Sequence, residues 1–179
     1  MPKKLRKMFG TADSPYIISL MRLIETQSKL TIAKWCMDYC EKYILPIFEK
    51  HCPGDNRPHA AIAASRDWFE GRKKLLEVKN IILNECHAAA RKLDGNPAAQ
   101  TAARACGQAA ACFHTPTHSL GLAFYGAAAI AYDRYGVNES AEFYDRIAAA
   151  ECAKMEAALR SIAVENEPNP AKLKWNCGE

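Results

Sequence analysis

A chain of 179 residues, 49% hydrophobic and 25% charged, has the length of one domain with one core and the balance of an ordinary globular protein. Its formal charge of +4 resides in Lys3, Lys4, Arg6 and Lys7; the remainder, with 20 basic and 20 acidic residues, is neutral, which excludes a net bias of the domain toward nucleic acid or anionic lipid. The uncharged stretch Ser119–Tyr132 is fourteen residues, short of the roughly 20 that span a bilayer, and no apolar core follows the basic N-terminus as in a secretory signal. A cytoplasmic location with no membrane partner is therefore expected.

Residues 1–15 read as a solvated basic arm, 16–165 as an all-α domain, and 166–179, with Pro168 and Pro170, as an extended tail. The first helix should follow Asp13-Ser14-Pro15, because proline suits the first helical position. A second starts near Lys29, with Ile32, Cys36, Cys40, Tyr43 and Ile47 at helical spacing. Pro46, which lacks an amide hydrogen, should kink or end it. The segment HCPGDNRP is a loop, with Asp55 or Asn56 capping a third helix that runs through Trp68. A fourth, from about Lys73 to Leu93, carries the stripe Leu75, Ile82, Cys86, Ala89 and Leu93, and DGNP separates it from the next. A last helix, from about Ser140 to Val164, should bury Tyr144, Ile147, Cys152, Met155, Leu159 and Ile162.

The two helices between these differ in kind. In Ala98–Phe113 the polar residues Gln100, Arg104 and Gln108 form one narrow row, and almost everything else is Ala, Cys or Gly. Ser119–Tyr132 carries no charge at all. A helix apolar on most sides belongs inside a fold, and small residues let backbones approach closely. The expected architecture is all-α, a single-domain bundle of six or seven helices with two Ala-rich helices at its centre.

Eight cysteines lie mostly within apolar helical patterns, and no CxxC pair occurs. They read as reduced core thiols without disulfides, and no cofactor is expected. Trp35 and Trp68 read as core or half-buried anchors, with Trp175 in the exposed tail.

The stretch CFHTPTHSLG sets His114 and His118 four positions apart around Pro116. In one continuous helix the two rings could share a metal. Pro116 makes that geometry costly, so a helix boundary is expected, with Thr115 as N-cap and Pro116 in the first turn. A zinc-protease signature would need a glutamate between the histidines, where Thr115, Pro116 and Thr117 stand. The residues serve a buried junction or a binding surface on this reading, and not catalysis. The chain has no P-loop, GxGxxG or GxSxG sequence. Asp55, Arg57 and Trp68 form a further polar and aromatic group around one helix. The candidate binding residues are thus His114, His118, Asp55, Arg57 and Trp68, with no catalytic or metal-ligating residue assigned.

Two stretches, YILPIFEKHCPGDNRPHAAIAASRDWFEG (43–71) and AARACGQAAACFHTPTHSLGLAFYGAAAI (102–130), together resemble the Imm-5-like family of bacterial immunity proteins. The matching features are Leu45, Pro46, Phe48 and Glu49; then Pro53, Asp55, Arg57 and Pro58; then an A-G-x-A run at 105–109 followed by His114, Pro116, His118, Gly121 and Tyr125. The resemblance covers about residues 30–163. It implies a protein that neutralises a toxin by binding it, with a cognate protein toxin as partner. Two other readings stand beside it: a metal-binding or enzymatic helical protein using His114 and His118, and a homo-oligomeric, for instance homodimeric, structural or regulatory protein.

Overall fold

The computed structural model describes residues 5–175; Lys3, Lys4 and Cys177 lie outside them. Seven helices and no strand occur among the described residues: α1 (Pro15–Ile24), α2 (29–51), α3 (Arg57–Phe69), α4 (75–91), α5 (Pro97–Ala111), α6 (Ser119–Tyr135) and α7 (Ala141–Ile162). None is long and apolar enough to cross a membrane. Side-chain caps start three of them, with Ser28, Asn96 and Ser140 accepting from Thr31, Ala99 and Phe143 backbone N–H groups. Proline occupies the first turn of α1, α3 and α5, where a missing amide hydrogen costs nothing.

Helix α5 packs most extensively on α6, and α2, α3 and α4 also close on α5. Helix α7 covers α6, and α1 covers α7. Alanines 99, 102, 103, 109 and 110 of α5 and 128, 129 and 131 of α6 are fully buried, as the sequence requires of helices with almost no charge. Directional bonds fix the outer helices to this pair. The Ser65 hydroxyl donates to the Ala110 carbonyl at 2.8 Å, tying α3 to α5. The Trp35 indole N–H donates to the Met155 carbonyl at 3.0 Å, tying α2 to α7.

Several expectations are corrected. Pro46, expected to kink or end α2, does not end it. A π-helical segment, Cys40–Ile44, precedes it, and the Leu45 amide reaches back to Cys40, so the wider turn carries the helix past the proline. A second π segment, Ile81–Cys86, lies inside α4. Leu75 and Ile162 are exposed, and Ile147 is half-buried; the buried face of α4 begins at Val78, and that of α7 runs Tyr144, Ala148, Glu151, Cys152, Met155 and Leu159. Trp175 is half-buried, its indole N–H donating to Glu25 at 2.7 Å. The tail around it is held by Gln27, whose carbonyl accepts from the Ala171 amide and whose side chain accepts from that of Val164.

The segment expected to be a solvated arm is solvated only in part. Phe9 is buried, with its ring centroid 5.2 Å from Tyr132 and 5.0 Å from Tyr144, and the Tyr132 hydroxyl donates to the Arg6 carbonyl at 2.6 Å. An aromatic residue next to a run of cations was the sequence signal for this anchoring.

All seven described cysteines are free thiols, and all but Cys52 are buried. Two pairs face each other across α2 and α5, Cys36 with Cys112 (Sγ–Sγ 3.3 Å) and Cys40 with Cys106 (3.4 Å). Burial first, and the neighbouring Cys112 second, push the Cys36 thiol well up, which keeps it protonated and unreactive. In a Cys177→Ser background, Ellman's reagent should label native protein at Cys52 and the other six thiols only after denaturation. Rapid labelling of several native thiols would contradict the packing of α2 on α5.

A second test concerns Gly107. A Cβ at this position would lie 2.5 Å from Cε1 of the His87 ring. Gly107→Leu should destabilise the protein by about 1–3 kcal/mol through overpacking. The cost should shrink in the His87→Ala background, because the two residues share one space. Urea melts of the four proteins measure this, and strict additivity would refute it.

Candidate functional site

The boundary expected at HTPTH is present. Helix α5 ends at Ala111, Pro116–His118 form one 3-10 turn, and α6 starts at Ser119. Thr115 occupies the N-cap position, yet its side chain makes no capping hydrogen bond, contrary to the expectation. The junction is held instead by the Thr115 amide donating to Ala111 (3.1 Å) and the His118 amide donating to Thr115 (3.0 Å).

The polar row of α5 explains what surrounds this turn. Gln100 donates to the Ala90 carbonyl and to Asp94, tying α5 to the end of α4. The Arg104 guanidinium lies 5.9 Å from the centre of the Tyr125 ring, and its buried Nε has no hydrogen-bond partner among the described residues. The Gln108 side-chain oxygen accepts from Nδ1 of His118 at 2.6 Å, which fixes the tautomer and leaves Nε2 as a lone-pair acceptor. Two glycines clear the space. His87 lies over Gly107, and Gln108 lies over Gly121, where a Cβ would come 2.5 Å from its side chain.

His114 and His118 come together more than the proline suggested, with ring centroids 6.2 Å apart. His114 also packs on Phe113 (4.7 Å), and Phe113 on Trp68 (4.7 Å), so Trp68 joins the same cluster from α3. His87 of α4 was not among the expected residues. Its signal was indirect: a glycine opposite it in α5, which cannot be paired with a partner without the fold. No group of three or more His, Cys, Asp or Glu side chains with metal-binding geometry occurs among the described residues.

Asp55 and Arg57 lie elsewhere. They sit at the start of α3, while Trp68 is near its end, roughly 16 Å farther along. Their ion pair is two-pronged (2.9 and 2.6 Å), and Asp55 also accepts from the Arg57 amide. Arg57 holds the Asp55 carboxyl below its usual range, chiefly through its side-chain hydrogen bonds. The pair clamps the loop between α2 and α3 and does not reach the histidines.

A separate cleft was not anticipated. It opens between α2, α6 and α7, has a volume of about 280 Å³, and is lined by Tyr39, Tyr43, Ile130, Asp133, Arg134 and Glu151, among others. Glu151 is 5% exposed and is held by Lys154 (2.8 Å) and Arg134 (3.4 Å). Asp133 receives Lys50 (2.8 Å) and His51 (2.7 Å), and Asn96 meets the other nitrogen of His51 at 3.2 Å. Burial works to raise the Asp133 pKa, but these two bonds outweigh it and hold the carboxyl below its ordinary value. Glu151 lies among the buried residues of α7, seven after Tyr144, and that position on an apolar face was the one legible signal.

This geometry defines a helical bundle with a histidine cluster at the HTPTH turn and a polar cleft between α2, α6 and α7. The chain matches the profile of the family described as "Imm-5 like putative immunity protein" over residues 22–158, and it belongs to that family. The matched region spans both the HTPTH turn and the cleft. No curated protein and no solved structure matches the chain significantly.

Burial depresses the basicity of all three clustered histidines. It is the main cause at His87, aided by Arg104 and His118, and at His114, aided by Lys79 and His118; at His118 it acts alone. The unfolded chain takes up protons near the ordinary value of 6.5, whereas the folded chain takes them up only at lower pH. Between those limits the unfolded state binds more protons, so stability is fully present above about 6.5 and is lost as pH falls. The melting temperature should therefore decline from pH 7.5 to 5, before the carboxylates titrate. His118→Ala should weaken that decline and, by stranding Gln108, cost about 1–3 kcal/mol at pH 7.5. A flat profile in this range for the unaltered protein would refute the neutral, buried state of the rings.

Proposed function

We propose that this protein is an immunity protein that neutralises a bacterial toxin by binding it, with no catalysis of its own. The observation that carries the reading is the family match, which extends across α2 to α7 and the last turn of α1. The bundle suits such a task. Its centre is dry and made of small apolar residues, so its flanks form a rigid surface that loses little conformational entropy when covered. Partly exposed aromatic, imidazole and ion-paired groups, including Trp68, His114, His118, Asp55 and Arg57, supply the mixed character of protein-binding surfaces. On this reading the protein meets its toxin in the cytoplasm of the producing cell.

The decisive experiment uses the open reading frames flanking the gene. Each is induced alone and together with this protein in a bacterial host. One flanking product should arrest growth, co-expression should restore it, and the two purified proteins should elute as one complex. If no flanking product is toxic, or if toxicity persists with this protein present, the reading fails.

A further inference from the structure

The cleft between α2, α6 and α7 opens onto the surface of the bundle. Tyr39 forms part of its wall and is 5% exposed, yet no described residue hydrogen-bonds to its hydroxyl. The hydroxyl lies close enough to Glu151 and Arg134 to feel both charges. The hydroxyl oxygen itself opens onto the cleft, since it is not among the buried unpartnered atoms, and it is a donor and acceptor available to an incoming group.

The cleft continues along the surface. A second hollow of about 180 Å³ shares Tyr39, Tyr43 and Ala158 with it and extends past Trp35, Lys42 and Ile162. Tyr43 and Ile162 are exposed there, although both are apolar. The two hollows thus adjoin and form one groove along α2 and α7.

The charges give the groove a sign. The two carboxylates are sunk, Asp133 held by Lys50 and the His51 ring and Glu151 by Arg134 and Lys154: the Asp133 side chain is 16% exposed and the Glu151 side chain 6%. The cations stand outward, with Lys50 at 63%, Arg134 at 55% and Lys154 at 58% exposure. Lys42, also exposed, lies 5.1 Å from the centre of the Tyr43 ring. Asp38 also lines the second hollow and is 47% exposed, but Arg66 engages it at 2.8 Å. The surface offered to a partner is an aromatic and aliphatic trough on whose rim Lys42, Lys50, Arg134 and Lys154 stand out beyond the sunken carboxylates.

We propose that this groove is the docking seat for an acidic segment of the toxin. One aromatic side chain fills the cleft against Tyr39, Tyr43 and Ile130, and flanking carboxylates meet Lys42, Lys50, Arg134 and Lys154. The partner's identity as a toxin rests on the function proposed above; the chemistry of the segment rests on the groove alone. Buried aromatic anchors surrounded by complementary rim charge are the usual distribution of binding energy in such contacts.

The probe is the tripeptide Asp-Phe-Glu, acetylated and amidated, titrated into the isotope-labelled full chain while amide resonances are followed. Shifts should concentrate at residues 39, 43, 130 and 158 and saturate in the millimolar range, about what one anchor and two exposed ion pairs provide. Lys-Phe-Lys and Asp-Ala-Glu should bind at least several-fold more weakly. Lys42→Glu, an exposed change that leaves the fold alone, should weaken Asp-Phe-Glu by about two- to fivefold. Ala158→Trp, which fills the shared wall, should abolish binding while the thermal melt confirms folding.

The absence of shifts up to about 10 mM, shifts elsewhere, or equal binding of the basic peptide would overturn the proposal. So would binding of free N-acetylphenylalanine as tight as that of the tripeptide, which would mark the cleft as a small-molecule site. The two readings fail separately. If a flanking toxin is neutralised equally well by Lys42→Glu and Ala158→Trp proteins, the groove is not the seat although the immunity function stands. If the peptide binds as expected but no flanking product is toxic, the groove stands and the immunity reading falls.

Discussion

The close approach of α5 and α6 is the constraint on which the rest of the molecule depends. Two helices whose facing residues are mostly Ala and Gly can bring their backbones nearer than Leu-rich helices can, and they bury little side-chain volume in doing so. Their stability then comes from dispersion between closely packed atoms and from the larger side chains of the surrounding helices, such as Trp35, Phe48, Ile62 and Met155. The few polar residues that α5 does carry are ranked along one edge: Gln100 and Gln108 find hydrogen-bond partners there, whereas Arg104 Nε, like the buried Ser119 hydroxyl of α6, has none among the described residues. The Gln108–His118 bond, the placement of Arg104 over Tyr125 and the glycines opposite His87 and Gln108 all lie along that edge.

The sequence made this centre legible because its signals are local. Absence of charge over Ser119–Tyr132, the i, i+4, i+8 row of Gln100, Arg104 and Gln108, and the punctuation at Ser14-Pro15, Asn96-Pro97 and Thr115-Pro116 need no tertiary knowledge. The helix count comes from the same marks. Pro46 shows where local reasoning stops. A proline inside an apolar helical pattern predicts a break, but the sequence does not announce the extra residue of the π turn that removes the clash. Each such insertion also rotates one part of the helix against the other, so a stripe drawn with a constant 3.6-residue period drifts off the true buried face. Leu75, on the far side of the π segment of α4 from Cys86 and Ala89, was lost to this error.

The candidate residues divide in the same way. His114, His118 and Trp68 are united because the HTPTH turn and the end of α3 both abut the end of α5. Arg57 begins the helix that carries Trp68, with Asp55 just before it, yet eleven positions of helix separate Arg57 from Trp68. Proximity in sequence suggested one polar group, and the rigidity of a helix made two. His87 and the α2–α6–α7 cleft were illegible for the complementary reason. Their members come from helices far apart in the chain, and nothing local pairs Tyr39 with Glu151 or Asp133 with Lys50.

The two polar regions differ in what they have left to give. Around HTPTH the imidazoles are neutral, and the firmest contact, Gln108 with His118, is internal; such a cluster chiefly fixes the angle between α5 and α6. In the cleft the internal bonds serve instead to sink the carboxylates and leave the cations facing out, with a phenol hydroxyl still unclaimed. On the reading proposed above, recognition takes place on the flank of the bundle. The flank that combines a cleft, exposed aromatic surface and outward-standing cations is the one along α2 and α7. Because α7 rests on α6, and α6 on α5, the shape of that flank is set by the same small-residue contact that organises the core.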